Sequence, residues 1–126
     1  MQNPKKLTMR IQRRNNLNDV YVDDVAGPGN GRHNYKIVPH GFEHDKRVHG
    51  EVQFQFGPRN ADGSVCGILE SDLLEIVRHR LQCFQAGEYA TRENAVALTK
   101  IEEALMWLAK RADDRAERGV LGTTEK

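Results

Sequence analysis

Cysteine is scarce in this 126-residue chain. Only Cys66 and Cys83 occur, far apart and without a CxxC pair, which argues against a disulfide framework or a zinc knuckle and fits a reducing cytoplasm. Net charge is nearly absent as well, with 19 Lys and Arg against 18 Asp and Glu. No bulk positive field exists to track a polynucleotide backbone, so polymeric DNA or RNA is not an expected partner. The N-terminal stretch carries Lys5, Lys6, Arg10, Arg13 and Arg14, but no apolar run follows that could serve as a signal segment or span a bilayer. Neither export nor a membrane partner is expected. Aromatic residues are few, at 6%, and apolar content is 38% against 29% charged, a balance that implies a thin core and much wetted surface. Internal repeats and low-complexity tracts are lacking. At this length two full domains would each bury little, so one compact unit is expected.

What is present divides by period. Leu7, Met9 and Ile11 alternate with polar residues, and Val20 and Val22 repeat the pattern after the turn-prone residues 15–19, predicting a β-hairpin. Beyond a glycine-rich turn at Gly27–Gly31, Tyr35, Ile37, Val52, Phe54 and Phe56 restore the two-residue period. A small antiparallel sheet therefore fills residues 1–66, and a second turn cluster sets the boundary between about Gly57 and Gly67. In residues 67–126 the spacing changes to three and four. Leu73, Ile76, Val77, Leu81 and Phe84 predict a helix ending near Gly87, while Thr91 caps a second one whose stripe is Leu98, Ile101, Leu105, Leu108 and Ala112. The second helix should reach about 28 residues, roughly 42 Å. Ala97, Ala104, Trp107, Arg111, Arg115 and Arg118 fall on one flank of that stripe, and Ala95 and Met106 on the other. A hairpin with apolar residues outside its own seam is best covered by copies of itself. The expected fold class is α+β: an N-terminal antiparallel sheet followed by a two-helix hairpin that oligomerises.

Candidate chemistry is sparse. His33, His40, His44 and His49 invite a metal reading, but their spacing lacks a partnering carboxylate pattern, and loop histidines are the favoured interpretation. Cys83 lies four residues from His79, on one helix face, as a nucleophile and base would. A small apolar packing role for this cysteine is favoured. The Gly27–Gly31 run offers amides to a phosphate but leads into a strand rather than a helix, so a plain turn is the better reading. Glu102 and Glu103 point about 100° apart and cannot act together on one substrate; a solvated face or intersubunit pairing suits them. Arg111, Arg115 and Arg118 share a face at i, i+4 and i+7, which suits a solvated or salt-bridged face first and an anion site second.

The residues 73–77, the run Arg80-Leu81-Gln82-Cys83-Phe84-Gln85-Ala86-Gly87, then residues 89–95, Leu98 to Ala104 and Trp107-Leu108, continuing through Arg111, Asp114-Arg115, Arg118-Gly119 and Gly122-Thr123, closely resemble one family. It is the helical hairpin shared by phage Thoeris anti-defence sponges and phage anti-CBASS cyclic-nucleotide sponges. The β-rich first half is similar to the Thoeris type. The resemblance implies sequestration of cyclic ADP-ribose isomers, without catalysis or cofactor, in the cytoplasm of an infected bacterial host. It further implies a homo-oligomer, commonly a hexamer, and cyclic di- or trinucleotides as a second ligand class. Carried over position by position, Phe84 stacks on the adenine, Asn94 hydrogen-bonds beside it, and Arg111 with Arg115 takes the phosphates. Arg59, in the turn after the last strand, is a further contact and Arg92 a contact to a second nucleotide. Two other functions compete: an enzyme cleaving the same signals, and an oligomeric phage protein that binds nothing small.

Overall fold

The computed structural model describes residues 4–24, 31–41, 47–59 and 61–123. The chain divides into two compact units, Met1–Phe56 and Gly57–Lys126. The first holds a four-stranded antiparallel sheet and the second two α-helices, an α+β architecture.

The sheet is a meander of β1 (Lys5–Lys6), β2 (Asn18–Val22), β3 (Asn34–Pro39) and β4 (Gly50–Gln53), paired in chain order. Its register sets Val20 opposite Ile37, Val22 opposite Tyr35 and Tyr35 opposite Val52. Because side chains alternate along a strand, those residues share one face, and Asp19, Tyr21, Lys36 and Glu51 share the other. Val22 is the most enclosed of the apolar group, at 6% exposure. Gly50 sits opposite Ile37, whose Cδ1 would lie 3.4 Å from an added Cβ. Tyr35 meets Phe54 edge-on at 5.7 Å, and the ladder runs on through the Phe54 amide, which donates to His33 O at 2.8 Å.

Two sequence expectations change here. The alternation of Leu7, Met9 and Ile11 suggested a strand to Gln12, yet β1 is two residues long, and Met9 and Ile11 are 96% and 99% exposed. Alternation alone does not make a strand without a face to bury. β4 closes at Gln53 rather than reaching Phe56. The Gly27–Gly31 turn lies mostly outside the described residues, as does His44.

The polar face carries an ionic network. Asp19 accepts from His40 Nδ1 at 2.9 Å and faces Lys6 Nζ at 3.5 Å, while Lys36 lies 3.5 Å from Asp23 and 3.9 Å from Glu51. His49 Nδ1 bonds Asn18 Oδ1 at 2.8 Å. The described histidines are thus engaged separately, His33 with Asp24 and with Phe56 at 4.2 Å.

The second unit is the helical hairpin. Helix α1 spans Glu70–Gln85, and α2 spans Arg92–Glu117, 26 residues against the expected 28. The Asp72 carboxylate accepts from Leu69 N at 2.9 Å at the start of α1, and Thr91 Oγ1 accepts from Asn94 N at 3.0 Å at the start of α2. Leu73, Leu81, Leu98, Ile101, Leu105, Leu108 and Ala112 are half-buried where the helices pack. Arg78 Nε donates to Glu102 Oε2 across the seam at 3.0 Å, so Glu102 serves the hairpin itself, whereas Glu103 pairs with Lys100 on the surface. Among the described residues no side chain is fully enclosed, and Ile76 and Trp107 are 65% and 70% exposed.

Partial burial works to raise the Asp19 pKa, but the His40 hydrogen bond and the charges of His40 and Lys6 outweigh it and hold the carboxyl below its ordinary 3.8. A depressed folded-state pKa contributes stability that is present above 3.8 and lost as pH falls through the lower folded value. Urea unfolding of the sheet unit across pH 5 to 2 should therefore show an acid limb that Asp19→Asn flattens; an unchanged limb in that variant would assign the loss to other carboxylates.

Candidate functional site

The two candidate base-binding residues flank one turn. Phe84 is in the last turn of α1 and Asn94 in the first turn of α2, both half-buried. The turn between them is fastened by Gln85, which sequence reasoning assigned no role. Gln85 Nε2 donates to Thr91 O at 3.1 Å, and Gln85 Oε1 accepts from Thr91 N at 3.1 Å. One side-chain amide thereby satisfies both backbone groups of the residue whose hydroxyl caps α2 at Asn94. The reciprocal geometry fixes where α2 starts relative to the end of α1, and so the angle at which Asn94 is offered. Among the described residues the Asn94 side-chain amide makes no hydrogen bond, leaving its donor and acceptor available to a ligand. Ala86 caps helix α1 after Gln85; Gly87 follows with its amide bonded to Phe84 O at 3.2 Å, without the left-handed φ that a glycine cap usually supplies.

The arginine set lies at the other end of α2. Trp107, Lys110, Arg111, Asp114, Arg115 and Arg118 line an open concavity of ≈370 Å³. Their spacing brings them to one face, and basic groups predominate, with Asp114 held by Lys110 at 3.2 Å. Such a surface can hold an anion beside an exposed indole. Arg111 and Arg115 differ sharply within it. Arg111 is exposed. Arg115 is buried to 8% exposure, and its Nη2 donates to Val120 O at 3.0 Å and Thr123 O at 3.1 Å. Its backbone carbonyl also accepts from Val120 N, while Gly119 at φ 73° donates to Ala116 O. That is a Schellman ending, in which the left-handed residue is best a glycine. Arg115 therefore anchors the segment after the helix, a structural task that spacing alone does not disclose.

The two groups are not brought together within one chain. Seventeen residues of helix separate Asn94 from Arg111, about 25 Å at 1.5 Å per residue. Of the remaining candidates, Arg92 is exposed at the first position of α2, and Arg59 Nη2 donates to Gly67 O at 3.2 Å. Cys83 does not take the packing role expected of it: the thiol is exposed, with Sγ 3.8 Å from His79 Nε2. Its position on the helix puts it outside the seam.

Arg115→Ala should release the segment 120–123, with loss of amide protection at Val120 and a destabilisation of about 2 to 4 kcal/mol for two charge-assisted bonds to carbonyls. Arg111→Ala, on the exposed side of the same helix, should leave stability within about 0.5 kcal/mol. Hydrogen exchange and thermal melting of the two variants separate an anchoring residue from a surface one; equal melting would remove the anchor assignment.

Residues 46–113 match the family model described as "Acb2/Tad1, hairpin domain". The chain is also 44% identical, over 105 residues, to "Thoeris anti-defense 1" of Bacillus phage SBSphiJ7, an alignment covering 83% of this chain and 71% of that protein. The matched stretch contains both helices up to Asp113 and the Gln85–Thr91 clamp between them. With a family model over more than half its length and a relative of this identity over most of it, the chain belongs to the Acb2/Tad1 hairpin family, on its Thoeris anti-defence branch.

Proposed function

We propose that the protein is a phage immune-evasion sponge that acts inside the infected bacterial host. It binds cyclic ADP-ribose isomers without breaking a bond, so that the Thoeris effector never meets its activator. The observation that carries this reading is the pairing of Phe84 and Asn94 across a turn held by Gln85, at the end of a hairpin whose relative bears the name Thoeris anti-defense. An aromatic ring stacked on adenine contributes about 1 to 3 kcal/mol, and a directional amide beside it selects the base edge. Phosphate contacts come from Arg111 and Arg115, the latter keeping its tail bonds while Arg111 makes the exposed charge-assisted pair.

Since those arginines lie about 25 Å from Asn94 along α2, a neighbouring subunit completes each pocket. The exposed Ile76, Met106 and Trp107 supply the apolar surface for that association. The assembly is a homo-oligomer, with a hexamer as the leading stoichiometry. Arg92 is the contact for cyclic di- or trinucleotides, a second ligand class held at a separate site, and Arg59 is a further contact to the main ligand. No helix among the described residues is long and apolar enough to cross a membrane.

The second reading, a cleaving enzyme, draws on one observation, the approach of Cys83 to His79. Recovery of intact ligand after denaturing the complex excludes it; Cys83→Ala and His79→Ala should each leave binding intact, and a total loss in either would favour it.

Calorimetry with a cyclic ADP-ribose isomer tests the main proposal. Phe84→Ala or Asn94→Ala should abolish tight capture while light scattering still reports an oligomer. Arg111→Ala with Arg115→Ala should weaken binding by about a hundredfold or more, at 1.5 to 3 kcal/mol per lost charge-assisted bond. Mixing the Phe84→Ala and double-arginine variants should restore part of the binding if pockets are shared between subunits. A monomer at micromolar concentration, or binding unaffected by Phe84→Ala, would overturn the proposal.

A further inference from the structure

Phe84 has a neighbour that changes the chemistry of its end of the hairpin. One turn earlier on α1, Arg80 lays its guanidinium over the Phe84 ring, with Cζ 5.1 Å from the ring centroid. Two other arginines of the hairpin are committed to protein groups: Arg78 to Glu75 and Glu102, Arg115 to the carbonyls of Val120 and Thr123. Arg80 is exposed, and no carboxylate lies within ion-pairing distance of it among the described residues. Among the described residues its charged group meets the aromatic face.

We propose that Arg80 is a ligand-binding residue of the Phe84–Asn94 site, covering the ring in the free protein and moving off it to pair with the phosphate of an incoming adenine nucleotide. The inference rests on the sponge reading and deepens it. The 5.1 Å spacing leaves no room for a base between guanidinium and ring, since each stacked pair of rings needs a centroid separation of roughly 4.5 Å or more. A base that uses this face therefore displaces Arg80. A cation–π contact at an exposed site is weak, whereas a guanidinium presents a planar fork that fits two phosphate oxygens, so the exchange is favourable once the phosphate is present. Finally, base and phosphate are covalently linked in a nucleotide, and a guanidinium beginning at the stacking surface is near the phosphate when the base lands. Arg111, about 25 Å along α2 in the same chain, is not.

The consequence is that one hairpin end supplies stacking, a base-edge amide and a cation from a single chain. Arg111 of a neighbouring subunit then reinforces the phosphate contact instead of providing all of it.

The test uses the full chain, with cyclic ADP-ribose as the probe. Arg80→Ala should weaken binding by about ten- to a hundredfold, the loss of one charge-assisted pair, while its melting temperature and oligomeric state stay those of the parent. Arg80→Lys, which keeps the charge but not the fork, should fall between them. Parent affinity should drop as KCl is raised, and the Arg80→Ala affinity should drop less steeply. In the free protein the Arg80 δ-methylene protons should be shifted upfield by the Phe84 ring, and saturating ligand should abolish that shift. Equal affinity of parent and Arg80→Ala, or methylene shifts that ligand does not change, would overturn this proposal alone. A parent protein that binds none of the cyclic ADP-ribose isomers would overturn the sponge reading with it.

Discussion

Two helices packed side by side have one seam between them, and most of what this structure does follows from that limit. Each helix presents a half-buried stripe to its partner, and everything outside the stripe faces water or another molecule. The Arg78–Glu102 pair shows how the limit is met. With no deep core to lock the helices by shape, a cross-seam ion pair fixes their register, and being half-exposed it contributes to alignment more than to stability. The apolar residues left outside, Ile76 and Trp107 among them, are the physical ground for proposing self-association.

Because the seam cannot hold the hairpin's ends, local hydrogen bonds do so. At the turn, one amide side chain, Gln85, grips both backbone groups of Thr91, which in turn caps α2. At the far end, Arg115 holds the two carbonyls of the departing chain while Gly119 adopts the left-handed conformation that closes the helix. Both devices lie beside residues with candidate binding roles. Preorganisation of this kind matters for capture of a small ligand, since ordering a turn on binding would subtract from affinity.

The sheet unit is organised differently. Its apolar face is short, and among its described residues only Val22 and Pro39 are buried. Charged residues pair on the opposite face, Asp19 with His40 and Lys6, and Lys36 between Asp23 and Glu51, and the lowered pKa of Asp19 makes the unit sensitive to acid. Of the histidines that suggested a metal in sequence, His33, His40 and His49 make separate contacts with Asp24, Asp19 and Asn18.

The helical half was legible because its information is local. Period, the Thr91 cap and the turn residues all act over a few positions, and a run such as Arg80 to Gly87 carries enough specificity to identify a family. The sheet was legible in its alternating residues, Val20, Val22, Tyr35, Ile37 and Val52, but not in its pairing or extent, since Met9 and Ile11 alternate correctly and have no face to bury. Neither Gln85 nor Arg80 was visible as anything but a polar surface residue. The roles of Arg115 and Arg111 were indistinguishable at a spacing of four. Cys83 looked like core. In each of those cases the deciding quantity is where a side chain ends, whether on Thr91, on the Phe84 ring, on Val120 or in solvent. That depends on the path of a turn or tail that composition and periodicity do not encode. Local pattern was enough for the α+β class, the two helices and the family; which arginines are structural, which lies against the Phe84 ring and what holds the turn depend on contacts between residues whose geometry is set by packing.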